Sequence, residues 1–204
     1  MSSPNWFVTI GASAGGIEAM QALFGALPND LDAAFFVVLH IPPIPPSHLD
    51  RVLAPATAMP VTVARDGESI QRGHVYVATA DLHLVVDENV VRQTHGPKEC
   101  HSRPAVDVLF RSAAVTHGAH VIAVVLSGML DDGTAGLSAV KELGGTALVQ
   151  EPREASQPGM PESAIRHVKV DMVAGARALA GKIRDIVQAR PPAVSWPRVS
   201  RPAR

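Results

Sequence analysis

Only one cysteine, Cys100, occurs in 204 residues, and a lone thiol excludes an internal disulfide and a zinc centre built on paired cysteines. That suits a reducing compartment, and the chain is expected to be cytoplasmic. Aromatic residues are scarce at 4%, so Val, Leu, Ile and Ala must fill any core. Charge of one sign is lacking too: the net charge is −1, too small for a global field that would draw in nucleic acid or an anionic membrane. Residues 1–5 show no basic patch followed by an apolar run, so no secretory signal is read there. No uncharged apolar stretch is long enough to span a bilayer, and no internal repeat or second domain is visible. What remains is a 47% hydrophobic chain of a length suited to one α/β core.

Short apolar runs alternate with helical patterns. Residues 6–10 read as a strand, the glycines Gly11, Gly15 and Gly16 as a tight turn. Ile17, Met20, Leu23, Phe24 and Leu27 follow at helical spacing. Residues 33–39 (AAFFVVL) form a second expected strand and 61–64 a third; the proline-rich 41–47 between them suits no regular element, and a short helix is expected after it. Asp87-Glu88-Asn89 splits an apolar run over 82–93, which predicts an antiparallel hairpin. Beyond it come a helix over 104–117, a doubly covered strand over 121–126 and a helix through Leu137, Val140 and Leu143 that stops at Gly144-Gly145. A strand over 146–150, a short helix near 163–167, a strand near 170–173 and a helix over 177–188 complete the pattern. Strands separated by helices imply a doubly wound, mainly parallel sheet with helices on both faces, a Rossmann-like three-layer sandwich with the hairpin at one edge. The last stretch, 190–204, holds four Arg and four Pro and is expected to be disordered.

Open parallel sheets bind ligands outside the carboxyl ends of their strands, so the residues delivered there matter most. The first strand delivers Gly11-Ala12-Ser13-Ala14-Gly15, the G-x-S-x-G spacing of a nucleophile elbow. The helix start behind it offers amides for an oxyanion. The second strand delivers His40 ahead of Pro42-Pro43, a place suited to a general base. The strand over 121–126 delivers Ser127-Gly128-Met129-Leu130-Asp131-Asp132-Gly133, with a carboxylate available to orient His40. Each segment also has a plainer reading: a phosphate-cradling or helix-capping turn, an ordinary loop histidine, and an Asp-Asp-Gly helix start. Their chain order, Ser–His–Asp, departs from the Ser–Asp–His order of α/β-hydrolases.

Taken together, these segments resemble the catalytic domain of the chemotaxis receptor methylesterases, the CheB family. Residues 10–16 resemble its nucleophile loop, 37–42 its histidine strand, 76–78 with 82–84 its hairpin, 101–110 a family signature and 127–136 its aspartate loop. Leu39 and Ile41 depart from the family's frequent Gln and Met at those positions. The resemblance implies a catalytic domain over residues 1–189 that hydrolyses glutamate γ-methyl esters on cytoplasmic chemoreceptor helices, and deamidation of receptor glutamines. Carried over residue by residue, it makes Ser13 the nucleophile, His40 the base and Asp132 the orienting acid. It makes the Met129 amide the oxyanion donor, and elbow geometry adds the Ala14 amide. Asp131 is read as a solvated neighbour. No cofactor or metal is implied; the spacing of His95, Cys100 and His101 matches no familiar zinc pattern. The implied partner is the methylated receptor, with neither nucleic acid nor membrane insertion. No phospho-receiver region precedes residue 6, so the expectation is a stand-alone form answering to a separate regulatory partner, or a part of a longer chain. Two other readings stay open: an esterase of small substrates, and a non-catalytic module that binds a nucleotide or a partner at Gly11–Gly16.

Overall fold

The structure, a computed structural model, describes residues 3–40 and 48–189. The proline-rich stretch 41–47 and the stretch 190–204, expected to be disordered, lie outside the described residues. The chain runs through β1 (Trp6–Ala12), α1 (Gly16–Phe24), β2 (Ala33–Leu39), α2 (Leu49–Leu53), β3 (Val61–Val63) and β4 (Val75–Val77). Next come β5 (His83–Asp87), β6 (Val90–Thr94), α3 (Val106–His117), β7 (Val121–Val125) and α4 (Thr134–Glu142). The last four elements are β8 (Thr146–Gln150), α5 (Gly159–His167), β9 (Met172–Ala174) and α6 (Ala176–Gln188).

Seven strands form one sheet in the order β3-β4-β2-β1-β7-β8-β9, and every neighbouring pair is parallel. The central strands are buried along their whole length, as the unbroken apolar runs require when helices cover both faces. Period-two alternation then sorts each strand between two cores. Trp6, Val8, Ile10 and Ala12 face α1 and α6 with Phe35, Val37, Val124 and Leu148. Phe7, Phe36, Val38, Ala123, Val125 and Val149 face the opposite layer, which holds Leu109 and Phe110 of α3, Leu137 of α4 and Met160 of α5.

The hairpin forms through Asp87↔Val90 pairing across Glu88 and Asn89. It makes a two-stranded sheet of its own rather than extending the parallel one. Leu84, Val86 and Val91 dip into the α3-side core. Hydrogen bonds tie it to α3: the Val86 amide donates to Ser112 Oγ (3.1 Å), Thr116 Oγ1 donates to Val86 O (3.2 Å), and His117 Nε2–H donates to Glu88 O (2.9 Å). β4, which precedes the hairpin, belongs to the parallel sheet between β2 and β3. Among the described residues no helix is long and apolar enough to cross a membrane.

Strand order reverses at β1: the chain steps outward to β2 on one side and later to β7 on the other. The crevice beyond the carboxyl ends of β1 and β7 is therefore the switch point at which such sheets bind ligands.

Candidate active site

Ser13 follows directly on β1. Its amide donates to Ser127 O (2.9 Å), and Gly16 N donates back to Ser13 O (2.9 Å), closing the turn into α1. Gly15 makes that turn with a left-handed φ of 73°, a conformation glycine adopts without cost. A side chain there would also strike Ser156 Cβ at 2.4 Å. Ser127, buried at the end of β7, ties three loops together. Its amide donates to Gln150 Oε1 (2.9 Å), its Oγ donates to Ala14 O (2.7 Å), and that Oγ accepts from Gln157 N (3.0 Å). Gly128 comes so near that an added Cβ would lie 2.9 Å from Ser13 Cβ. The serine loop and the loop over 127–133 are thus set against each other.

His40 follows β2, the neighbour of β1, and its amide donates to Ala12 O (3.0 Å). Serine and histidine therefore leave the sheet side by side, as the pairing of Ala12 with Leu39 dictates. The His40 ring, with 18% of its side chain exposed, places Nε2 2.6 Å from Oδ2 of Asp132. Asp132 is buried, and Oδ2 also accepts from Val106 N (2.7 Å) while Oδ1 accepts from Asp107 N (2.9 Å). Those amides begin α3 and have no partner within the helix, so they suit an anion. Burial opposes the charge on Asp132 more than any other single effect. The bond to His40 and the two amides together outweigh it and hold the carboxyl below the usual carboxylate range. An ionised carboxylate only accepts, so Nε2 carries the hydrogen and Nδ1 is the basic nitrogen of the neutral ring.

The structure brings His40 and Asp132 into contact and sets Ser13 at the adjacent strand end. Asp131 is exposed. Met129 and Leu130 stand out from the loop with 57% and 67% of their surface exposed, Leu130 at a left-handed φ of 65°. His95, Cys100 and His101 do not gather: His95 Nε2 lies 3.2 Å from Asp81 Oδ2, and the Cys100 thiol points to Asp107 Oδ2 at 3.8 Å. Among the described residues, Cys100, Asp107 and Asp132 do put potential ligand atoms within 4.8 Å of one another. Burial and the nearby carboxylates push the thiol of this trio up to about 12.

Three buried polar residues here escaped the sequence reading. Ser127 and Gln150 carried a faint signal, a polar residue at the end of an apolar strand. Asp107 carried less, since an acidic residue in a helix's first turn is usual. Its Oδ1 accepts from Gly136 N at 2.6 Å, and burial raises its pKa to about 6.

Fold and site define a class: a doubly wound α/β domain with a serine loop and a histidine paired to a buried aspartate at its switch point. The CheB methylesterase family matches residues 8–183. The crystal structure of the Thermotoga maritima CheB methylesterase catalytic domain superimposes with a TM-score of 0.86 at 32% identity, covering 92% of this chain and all of that one. A protein-glutamate methylesterase/protein-glutamine glutaminase 2 of Methanosarcina mazei is 35% identical over 189 residues, 89% of this chain and 52% of its own. A putative protein-glutamate methylesterase/protein-glutamine glutaminase of Leptospira interrogans is 35% identical over 174 residues, 85% of this chain and 90% of its own. The chain belongs to the CheB methylesterase family. It spans about half the length of the first curated relatives it matches.

Proposed function

We propose that this chain is a protein-glutamate methylesterase working through Ser13, His40 and Asp132 on methylated glutamates of chemoreceptor cytoplasmic helices. The observation that carries the reading is the 2.6 Å contact between His40 Nε2 and an Asp132 already fixed by two helix-start amides. That arrangement leaves Nδ1 to take the proton from Ser13 Oγ as the hydroxyl attacks the ester carbonyl. The ring becomes an imidazolium facing a buried carboxylate. The amides of Met129 and Ala14 are the proposed donors to the oxyanion. Methanol leaves with the proton from His40, and water, deprotonated by the same nitrogen, releases glutamate from Ser13. The same steps with ammonia as leaving group give glutamine deamidation, in keeping with the double name of the relatives.

The test is methanol release from methylated receptor cytoplasmic fragments by the wild type and by Ser13→Ala. The variant is expected to lose at least about a thousandfold in rate while keeping its fold. Near-normal turnover by the variant would sink the serine mechanism. Hydrolysis of small esters alone, with no methanol from receptor fragments, would favour the small-substrate reading.

A further inference from the structure

Neither helix at the back of the site has a capping side chain of its own, since α3 is preceded by Ala105 and α4 by Gly133. Their orphan amides are satisfied by exchange. Asp132, one residue before Gly133, accepts from Val106 N and Asp107 N at the start of α3 (2.7 and 2.9 Å). Asp107, the second residue of α3, accepts from Gly136 N in the first turn of α4 (2.6 Å). Each carboxylate thus caps the helix that belongs to the other. Contact between the helices is close at this point: a Cβ on Gly136 would lie 3.0 Å from Asp107 Cα and 2.7 Å from Phe110 Cβ.

Asp107 is 5% exposed. The groups facing it are the Cys100 thiol from the preceding loop, Arg111 from its own helix, Asp132 and the Gly133 amide from the aspartate loop, and the Gly136 amide from α4. Asp131 adds a further negative charge near Cys100. A second buried carboxylate beside Asp132 is an expensive way to cap a helix, for a neutral asparagine would accept the same Gly136 bond. What an asparagine lacks is the charge and the second acceptor oxygen, which faces the Cys100 thiol.

Resting on the methylesterase reading, we propose that Asp107 is a positioning residue for the triad. It locks the α3–α4 junction so that Asp132 stays aimed at His40 Nε2, and its negative charge joins that of Asp132 in favouring the imidazolium. With its carboxyl titrating at about 6, Asp107 is mostly ionised at neutral pH and neutral below about pH 5.

The experiment compares Asp107→Asn with the wild type on a small methyl ester from pH 5 to 8. Outer partners of metal-ligating side chains are worth about 10- to 100-fold in activity; by analogy with the lower end of that range, kcat at pH 8 is expected to fall about tenfold with KM within about twofold. The ratio of the two rates should close toward one as pH falls below 6, because the wild-type carboxyl is then neutral as well. Thermal midpoints at pH 8 should be equal or higher in the variant. A rate ratio that is the same at every pH, or a lower thermal midpoint accounting for the lost activity, makes Asp107 merely structural and overturns the proposal. A wild type that releases methanol neither from this ester nor from methylated receptor fragments fails the methylesterase reading instead. The charge is then read without substrate, from ¹⁵N shifts of the His40 ring through a pH titration. The ring of the variant should release its proton at lower pH than that of the wild type, and identical titrations overturn the inference independently.

Discussion

The tautomer of His40 is set by its neighbour. Both oxygens of Asp132 are engaged: Val106 N and His40 on one, Asp107 N on the other. Replacing it with asparagine puts an NH₂ group where one of these donors must be met. If the amide oxygen takes the Oδ1 position and keeps Asp107 N, the NH₂ faces both Nε2 and the Val106 N–H, the ring must accept there, and its proton moves to Nδ1. The base that the proposed mechanism needs beside Ser13 is then gone. Asp132→Asn is therefore expected to keep the fold and lose about 10³- to 10⁴-fold in kcat, the order seen when an orienting aspartate fixes the wrong tautomer. Small-ester hydrolysis measures it, and a loss below about tenfold would deny Asp132 the orienting role. Ser13 and His40 stood out as candidates because each follows a readable apolar strand, and Asp132 because the loop over 127–133 resembles the family's aspartate loop. Asp107 did not, because its importance lies in facing Gly136 and Asp132, and nothing in the spacing of 107 and 132 announces that contact.

At the level of elements, the junction of α3 and α4 depends on a missing side chain. Gly136 sits where a methyl group would press on Phe110 Cβ at 2.7 Å and on the Asp107 backbone at 3.0 Å. The nearest atoms belong to a helix backbone and a packed ring's Cβ, so neither swings aside. Gly136→Ala is expected to push the helices apart and cost about 1–3 kcal/mol, despite alanine's better helix propensity. Urea denaturation measures this, and an unchanged midpoint would show that the junction has slack. Most elements were legible: residues 33–39 and 146–150 form strands over the same span as their apolar runs, and the Asp87-Glu88-Asn89 break became the hairpin turn. Where the hairpin would lie was not legible. Alternation gives it one apolar face, and that face is satisfied equally by a sheet edge or by α3.

Across the whole molecule, buried titratable groups set the acid response, and their signs differ. Burial lowers His117 from 6.5 to about 4; its ring stacks on Phe7 with centroids 3.4 Å apart and its Nε2–H donates to Glu88 O at 2.9 Å. The fold favours the neutral ring, so stability on the order of 3 kcal/mol is lost as pH falls from 6.5 to about 4. Asp107 is raised from 3.8 to about 6, which works the other way, and a similar amount is regained as pH falls from 6 toward 3.8. Asp132, held below 3.8, contributes stability that is lost only below that value. The expected result is a nearly level thermal midpoint between pH 6.5 and 4, then a steep fall. In Asp107→Asn the compensation is gone, and the midpoint should decline through the same window. A wild-type midpoint dropping steadily from pH 6.5 would break this account.

By itself the sequence determined the alternation of strands and helices and the parallel sheet they imply, and it offered candidate residues in the loops that follow three of the strands. These are local consequences of periodicity and of the residues at each strand's carboxyl end. Tertiary structure decided which nitrogen of His40 is basic, which carboxylate caps which helix, and that Ser127 binds three loops at once. The physical reason is that burial and hydrogen-bond partners are properties of contacts between residues distant in the chain. A carboxyl group in the sequence is the same group at 107, 131 and 132. Only packing made one a cap titrating at about 6, one a solvated neighbour and one the partner of His40.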